Sequence, residues 1–146
     1  VRQQLVDIAI TNDAPVGTRF GVVELPPEKL LLVSDKASDF EDGDFPLFMN
    51  LELGAQYQAQ LQDILPERSQ QHIFLGNAMM GLRYLTKRGG IGYFPVNMLE
   101  EPLSKGELYL VRRAPEIVLS CYAVHLPENP ARAQIKEVLS GFVQLR

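Results

Sequence analysis

The sequence predicts an α/β protein in which a sheet lies between two layers of helices. Short apolar runs, typical of buried strands, alternate along the chain with segments whose apolar residues recur at helical spacing. Gly, Pro and Asn residues separate these segments. The chain has 146 residues, of which 46% are hydrophobic and 22% are charged. That composition is typical of one globular domain and excludes a disordered chain, a coiled coil and a disulfide scaffold.

The first third of the chain is predicted to form strands. The run from Leu5 to Thr11 is typical of a buried strand in a parallel sheet. Two further strands are predicted from Phe20 to Leu25 and from Lys29 to Ser34, since Pro26-Pro27 separates them and excludes a helix. After an acidic loop, Phe45 to Leu51 is a fourth strand candidate.

Helical periodicity begins after Gly54. The apolar residues that follow fall on one helix face, and Pro66 ends the pattern; they are Tyr57, Leu61, Ile64 and Leu65. Asn77 is placed to cap a helix over 78–88, and Gly89 is placed to close it. Strands over 72–75 and 90–94 flank this helix, so the sequence predicts a parallel strand–helix–strand unit.

The remainder of the chain continues the alternation. A short helix strained by Pro102 is predicted from Val96 to Leu103. Strands are predicted from Leu108 to Arg112 and from Ile117 to Leu126. Asn129-Pro130 then opens a last helix, with a capping Asn and with Pro at its first position.

Charge and composition restrict the possible partners. The chain has 14 Lys and Arg against 18 Asp and Glu, a net charge of −4, whereas a nucleic-acid surface normally has a basic excess. Cys121, the single cysteine, allows no internal disulfide and favours a reducing compartment. No apolar run approaches the ~18 residues of a membrane-spanning helix.

Catalytic and metal-binding patterns fail on spacing. Cys121 and His125 share a strand face but lie ~13 Å apart, too far for a nucleophile and its base. His72 and His125 have no metal-site spacing. The glycines around Ile91 are no dinucleotide motif, because Pro95 stands at the third glycine position. The acidic segment from Asp39 to Asp44 is no calcium loop, because Phe40 stands at a ligand position. The sequence therefore predicts no enzyme, no metal site and no cofactor.

Polar residues at predicted strand ends are the remaining candidates for a binding site. In open α/β sheets, ligands bind beyond the carboxyl ends of the strands, and helix N-termini favour anions. The residues at these ends are Thr11, Asn12, Gly54, Ala55, Gln56 and Asn77. A small carboxylate or similar anion fits such a site. The alternative is that these residues are only helix caps and turns, which are common.

Motifs across the chain resemble LysR-type transcriptional regulators. In that family a capped helix runs into Gly-x-Gly-Ile-Ala-x-Leu-Pro, which is similar to the residues from Arg88 to Pro95. The segment Leu103-Ser104-x-Gly106-x-Leu108 is similar to the family's Leu-x-x-Gly-x-Leu. Leu5 to Ile10 resembles its Leu-Asp-Leu-Ala-Ile strand, and the segment from Pro130 to Leu139 resembles its closing helix. Arg88, Gly92 and Phe94 depart from the pattern.

The resemblance implies a type 2 periplasmic-binding-protein-like fold of two lobes, with mixed and mainly parallel sheets. It places residues 1–44 and 108–146 in the first lobe and 45–107 in the second. The family's opening strand–helix–strand precedes the Leu-Asp-Leu-Ala-Ile strand, so the first lobe is expected to be incomplete. The start at Val1 is accordingly interpreted as a truncation, with Val1 to Gln4 as the tail of a missing helix.

The resemblance further implies an effector-binding domain rather than an enzyme. A small molecule in the cleft between the lobes is expected to contact Thr11 and Asn12 from the first lobe and Gly54, Ala55, Gln56 and Asn77 from the second. The expected partners are this effector and a second copy of the chain in a dimer or higher oligomer. DNA is expected to be contacted only through an N-terminal helix-turn-helix absent from the chain. A cytoplasmic location is expected, with no membrane partner. The alternative is a free-standing solute-binding or sensor domain unrelated to transcription.

Overall fold

Strands and helices alternate through residues 8–13, 21–41, 47–65, 71–125 and 132–143, which the computed structural model describes. The elements in order are β1 (Ile8–Thr11), β2 (Gly21–Ser34), β3 (Phe48–Asn50), α1 (Ala55–Ile64), β4 (His72–Phe74), α2 (Ala78–Arg88), β5 (Ile91–Pro95), a 3-10 turn (Val96–Met98), α3 (Glu100–Ser104), β6 (Tyr109–Leu110), β7 (Ile117–His125) and α4 (Arg132–Val143). The predicted α/β class is therefore confirmed.

The chain divides into two compact units. Unit 1 takes its described residues from Val1–Pro27 and Ser120–Arg146, and unit 2 is Glu28–Leu119. Strands β2 and β7 each contribute residues to both units. The predicted second lobe, 45–107, falls wholly within unit 2. Unit 2 extends further toward the N-terminus because residues 30–34 of β2 pair with β5.

Unit 2 has the predicted three layers. Strand β3 pairs in parallel with both β4 and β5, so β4 and β5 run parallel on either side of it. The predicted parallel strands that flank α2 are thus confirmed. Strand β5 also pairs antiparallel with β2, and β2 pairs antiparallel with β6. The sheet is therefore mixed, as the resemblance implies.

Alternate strand residues of unit 2 belong to two apolar cores. On β3, Phe48 joins the core that contains Tyr57 and Leu61 of α1, and Met49 joins the core that contains Leu85 of α2. This alternation follows from the period of two along a strand. The fully buried large side chains of unit 2 include Phe48, Tyr57, Tyr93, Phe94, Leu30, Leu51, Leu85, Leu99 and Leu108. The predicted apolar face of α1 is confirmed.

Unit 1 has its own small core and differs from the prediction at β1. Buried Leu25, Ala123 and Leu139 form that core. Strand β1 pairs antiparallel with β7, and its central residues Ala9 and Ile10 are exposed. The predicted buried, parallel strand is therefore wrong. Strand β1 stands at the end of the strand order, so an apolar sequence here does not imply burial from both faces.

The prediction of two strands separated by Pro26-Pro27 is also wrong. Strand β2 is continuous from Gly21 to Ser34. Proline fits extended backbone where no ladder hydrogen bond is required of it. The pairing of β2 with β5 starts only at Leu30, and its pairing with β6 starts at Val33, so both prolines lie outside the ladders with β5 and β6.

The predicted helix from Val96 to Leu103 is divided in two. The 3-10 turn at Val96–Met98 precedes α3, and Pro102 is the third residue of α3. Pro102 is tolerated there because the first N–H groups of a helix have no partner within the helix.

Three predictions fall on residues outside the described ranges. They are the helix start at Asn129-Pro130, the tail from Val1 to Gln4, and residues 42–44 of the acidic loop.

Gly89 ends α2 as predicted, in close contact with Asp35. Gly89 has φ 86° and ψ 172°, and its N–H donates to the carbonyl of Leu85 at 2.9 Å. The N–H of Gly90 donates to Asp35 Oδ1 at 3.0 Å. A Cβ on Gly89 would lie 2.6 Å from Asp35 Oδ2. Both the backbone angle and the nearby carboxylate therefore require glycine at this position.

Candidate functional site

The carboxyl ends of β3 and β4 are the predicted ligand-binding edge of the unit 2 sheet. The two strands are in register, with Phe48 opposite His72 and Asn50 opposite Phe74. The N–H of Leu75 continues the ladder by donating to the carbonyl of Asn50 at 2.9 Å. Helix α1 begins after a four-residue loop from β3, and α2 begins after a three-residue loop from β4. The two helix N-termini therefore both follow this edge.

The N-terminus of α1 is suited to an anion. Gly54 stands at the cap position with φ 102°, and no side chain makes a capping hydrogen bond there. The first turn contains no acidic residue. The dipole of α1 places partial positive charge at this end of the helix, and the first turn itself contributes no carboxylate.

The N-terminus of α2 is capped by its own chain. Asn77 has extended backbone, and its Oδ1 accepts from the N–H of Met80 at 3.1 Å. The predicted capping role of Asn77 is confirmed. Because the cap already engages this oxygen, a ligand contact by Asn77 would use its exposed amide nitrogen.

A pair of carboxamides, from buried Asn50 and half-buried Gln58, holds the start of α1 against β3. The Asn50 side chain has no solvent exposure. Its Nδ2 donates to Gln58 Oε1 at 3.0 Å, and its Oδ1 accepts from Gln58 Nε2 at 2.8 Å. Asn50 Oδ1 also accepts from the N–H of Glu52 at 2.9 Å. Glu52 has the positive φ of 54°, which residues with a side chain rarely adopt. Asn50 thus fixes the loop that leads into α1.

His72 completes this cluster from β4. Its Nδ1 lies 3.2 Å from Asn50 Nδ2. Its ring packs against the rings of Phe48 and Phe74, with centroid distances of 5.3 and 5.5 Å. Burial lowers the pKa of the His72 imidazole below its usual value, because the charged form is desolvated.

Thr11 and Asn12, the other two predicted site residues, belong to unit 1. Thr11 ends β1, and its hydroxyl accepts from the N–H of Asp13 at 3.3 Å in a local turn. Asn12 Nδ2 donates to the carbonyl of Ser120 at 3.1 Å and so ties the end of β1 to β7. These bonds give both residues a role within unit 1, and their contact with a ligand stays a prediction.

The described residues contain no group of side chains that could hold a metal ion. Cys121 and His125 both lie on β7, and Cys121 packs against the core of unit 1. Across the described ranges, no three His, Cys, Asp or Glu side chains are placed to share a metal ion. Within that same part of the chain, every helix falls short of the length and apolarity needed to cross a bilayer.

The fold is that of the regulatory domains of LysR-type transcriptional regulators, a type 2 periplasmic-binding-protein-like fold. This result confirms the architecture that the sequence motifs imply. No protein-family model and no curated protein sequence matches the chain. The comparison therefore depends on solved structures, and at 13–17% identity it establishes the fold.

Three solved structures illustrate the similarity. Full-length LysG from Corynebacterium glutamicum with bound effector Arg has a TM-score of 0.70 and 17% identity, over 95% of this chain and 51% of that one. The bromide-bound regulatory domain of HypT from Salmonella typhimurium has a TM-score of 0.73 and 14% identity, over 92% of this chain and 71% of that one. ArgP from Mycobacterium tuberculosis has a TM-score of 0.75 and 13% identity, over 96% of this chain and 52% of that one. The chain spans about half the length of LysG and ArgP.

Sequence reasoning missed the three side chains that organise the site edge. The contact of Asn50 with Gln58 and His72 was not predicted, because Gln58 lies 8 residues and His72 lies 22 residues after Asn50 along the chain. One signal was available. Asn50 is a polar residue inside the apolar run from Leu47 to Leu51, and a buried polar side chain requires hydrogen-bond partners.

Proposed function

We propose that this chain is part of the effector-binding domain of a LysR-type transcriptional regulator. Its support is the shared fold over 92–96% of the chain, together with relatives whose structures hold Arg or bromide. The net charge of −4 leaves the DNA contacts to a part of the regulator outside this chain. The proposal makes the chain a binding domain and gives it no catalytic step.

The observation that carries ligand binding is the N-terminus of α1. It follows a fixed loop at the carboxyl end of β3, has no capping side chain and has no acidic residue in its first turn. Gly54, Ala55 and Gln56 are the proposed contacts of a small anion or carboxylate, through the positive end of the helix. Asn77 is a proposed contact from α2, and Thr11 and Asn12 are proposed contacts from unit 1.

Replacing Ala55 with aspartate is expected to weaken anion binding at least ~10-fold. Ala55 is exposed in the first turn of α1, so a carboxylate there repels the ligand at short range. The same carboxylate interacts favourably with the helix dipole, so the variant is not expected to lose stability. The measurement is isothermal titration calorimetry with bromide, acetate and L-arginine as probes.

The matched control is Ala59→Asp, which places the same charge on an exposed residue in the middle of α1. It is expected to leave the affinity within ~2-fold of the parent, since the charge lies beyond the first turn, where the dipole effect falls off. Equal binding by the parent and Ala55→Asp would move the ligand away from α1. Absence of binding for all three probes would count against the proposed anion ligand.

A second copy of the chain is the proposed protein partner, and α2 is its proposed contact. Met79 and Met80 are each more than half exposed, and Tyr84 is exposed one turn further along. Large apolar side chains grouped on one helix are typical of a protein–protein contact. They lie on a helix that the buried Leu85 anchors to unit 2.

Replacing Met80 and Tyr84 together with glutamate is expected to convert a dimer of the chain to a monomer, because two carboxylates cannot be buried unpaired in the contact. The measurement is light scattering coupled to gel filtration at ~100 μM chain. The control is Leu110→Glu, an exposed apolar residue on β6. A parent chain that is monomeric at this concentration would refute self-association, and a dimer that survives the double substitution would exclude α2.

A further inference from the structure

The hydrogen bonds around Asn50 determine which ring nitrogen of His72 is protonated. The backbone N–H of Glu52 can only donate, so the carboxamide atom that faces it at 2.9 Å is the oxygen of Asn50. The atom that faces His72 Nδ1 at 3.2 Å is therefore the NH2 nitrogen, which can only donate. Nδ1 accordingly accepts, and the proton of the neutral imidazole is on Nε2.

Gln58 prevents Asn50 from reversing. The two carboxamides form a reciprocal pair, in which each donates to the other at 2.8–3.0 Å. Turning the Asn50 amide over would direct its NH2 at the N–H of Glu52. It would also require Gln58 to turn. Since Asn50 is fully buried, water cannot replace the lost partners without a local rearrangement.

Protonation of His72 conflicts with this arrangement. A second ring proton on Nδ1 would face the NH2 of Asn50, donor against donor. The conflict is relieved only if Asn50 moves, and Asn50 is the residue that holds Glu52 at its positive φ. The proton on His72 and the loop conformation before α1 therefore compete for the same carboxamide.

We propose that His72 is a positioning residue for the ligand-binding loop: neutral His72 accepts from Asn50 and keeps Glu52, Leu53 and Gly54 in place, and protonated His72 releases them. The inference relies on the proposed function only for the ligand that this loop serves. The link between His72 and the loop is a property of the free chain. It is therefore testable whether or not a ligand binds.

Among the described residues, the side chains that contact His72 carry no charge to offset a proton on its ring. The elements packed against the ring contribute Phe48 and Asn50 from β3 and Phe74 from β4, all of them uncharged. Glu52, in the loop before α1, and Asp63, on α1, are exposed, and neither forms an ion pair with His72 in the described part of the chain.

Folding stability is expected to fall at low pH, because the folded chain favours the neutral form of His72. Burial lowers the pKa of His72 in the folded chain from its ordinary value of 6.5. The unfolded chain therefore binds the proton more readily than the folded chain does. The contribution of His72 to stability is complete above pH ~6.5 and is lost as the pH falls through the lower pKa of the folded chain. The loop is expected to change over that same lower range.

Nuclear magnetic resonance of the whole chain tests the proposal. Nitrogen-15 spectra of the imidazole at pH 7.5 are expected to show His72 protonated on Nε2. On titration to pH 4.5, the backbone amides of Glu52, Leu53 and Gly54 are expected to shift with the midpoint of His72. A proton on Nδ1 at pH 7.5, or loop amides that do not follow this midpoint, would overturn the proposal.

A non-titrating variant separates positioning from packing. His72→Gln offers a carboxamide oxygen to Asn50 at every pH, and is expected to abolish the loop titration while the amide positions stay as in the parent at pH 7.5. The matched control is His125→Gln on β7, the only other histidine of the chain, which is expected to leave the loop titration unchanged. If His72→Gln does not fold, the tautomer and titration of the parent still decide the question. If the loop titrates but no anion binds, the proposed ligand fails and the positioning role stands.

Discussion

Replacing Asn50 with leucine is expected to lower the free energy of unfolding by roughly 3 kcal/mol. The two side chains are similar in size, so the substitution removes hydrogen bonds without opening a cavity. It leaves the N–H of Glu52, the amide of Gln58 and Nδ1 of His72 without the partner that each has in the parent. Each unsatisfied buried group costs about 1–3 kcal/mol, and the partial exposure of Gln58 and His72 reduces the total.

Chemical denaturation monitored by circular dichroism measures this loss. The control is Gln62→Leu on the exposed side of α1, which is expected to change stability by less than ~0.5 kcal/mol. The local effect is expected at the loop from Leu51 to Gly54, whose amides should exchange with solvent faster. An Asn50→Leu chain as stable as the parent would show that this carboxamide does not hold α1 to β3.

Replacing Gly89 with alanine is expected to lower the free energy of unfolding by roughly 3 kcal/mol or more. The substitution has two separate costs. A side chain is disfavoured at φ 86° and ψ 172°, and the new Cβ would lie 2.6 Å from Asp35 Oδ2. Moving Asp35 away from the clash would also break its bond to the N–H of Gly90.

Two further variants separate these costs. Gly76→Ala is the matched control, because an added Cβ there meets nothing within 4 Å, and it is expected to be neutral within ~0.5 kcal/mol. Adding Asp35→Ala to Gly89→Ala removes the clash and leaves the backbone strain, so this double variant is expected to lose less than the sum of the single losses. Additive losses would show that Asp35 and the new methyl group do not meet.

The parts of the fold that the sequence predicts are those where one local rule decides the outcome. The spacing of Tyr57 and Leu61 has only one helical interpretation, and both side chains are buried on α1. Asn77 and Gly89 begin and end α2 because capping depends on residues close in sequence. The order of the family motifs supplied the architecture, which no single segment specifies.

The predictions that failed depend on neighbours distant in sequence. The strand that contains Ile10 is apolar enough for a sheet centre, but only the strand order shows that β1 stands at an end of it. Pro26-Pro27 disfavours a helix interior, yet it lies within the continuous strand β2, before the ladders with β5 and β6 begin. Pairing register decides both cases, and register cannot be read from either segment alone.

In the candidate site, too, the local feature was predicted and the contacts between residues distant in sequence were not. The start of α1 at Ala55 was predicted from Gly54 and the periodicity that follows it, and the structure confirms that start. The support beneath it was not predicted, because Asn50 and Gln58 meet only after α1 folds back on β3, and His72 joins them only through β4. Contact with a ligand by any of these residues stays a prediction.

The division of the chain into units has a consequence for biosynthesis. Unit 2 is one uninterrupted segment, Glu28–Leu119, whereas unit 1 needs residues from both sides of it. During translation, which proceeds from the N-terminus, all of unit 2 leaves the ribosome before the second half of unit 1 does. The loop before α1 and the hydrogen bonds of Asn50 are therefore able to form on the ribosome before β1 can pair with its antiparallel partner β7.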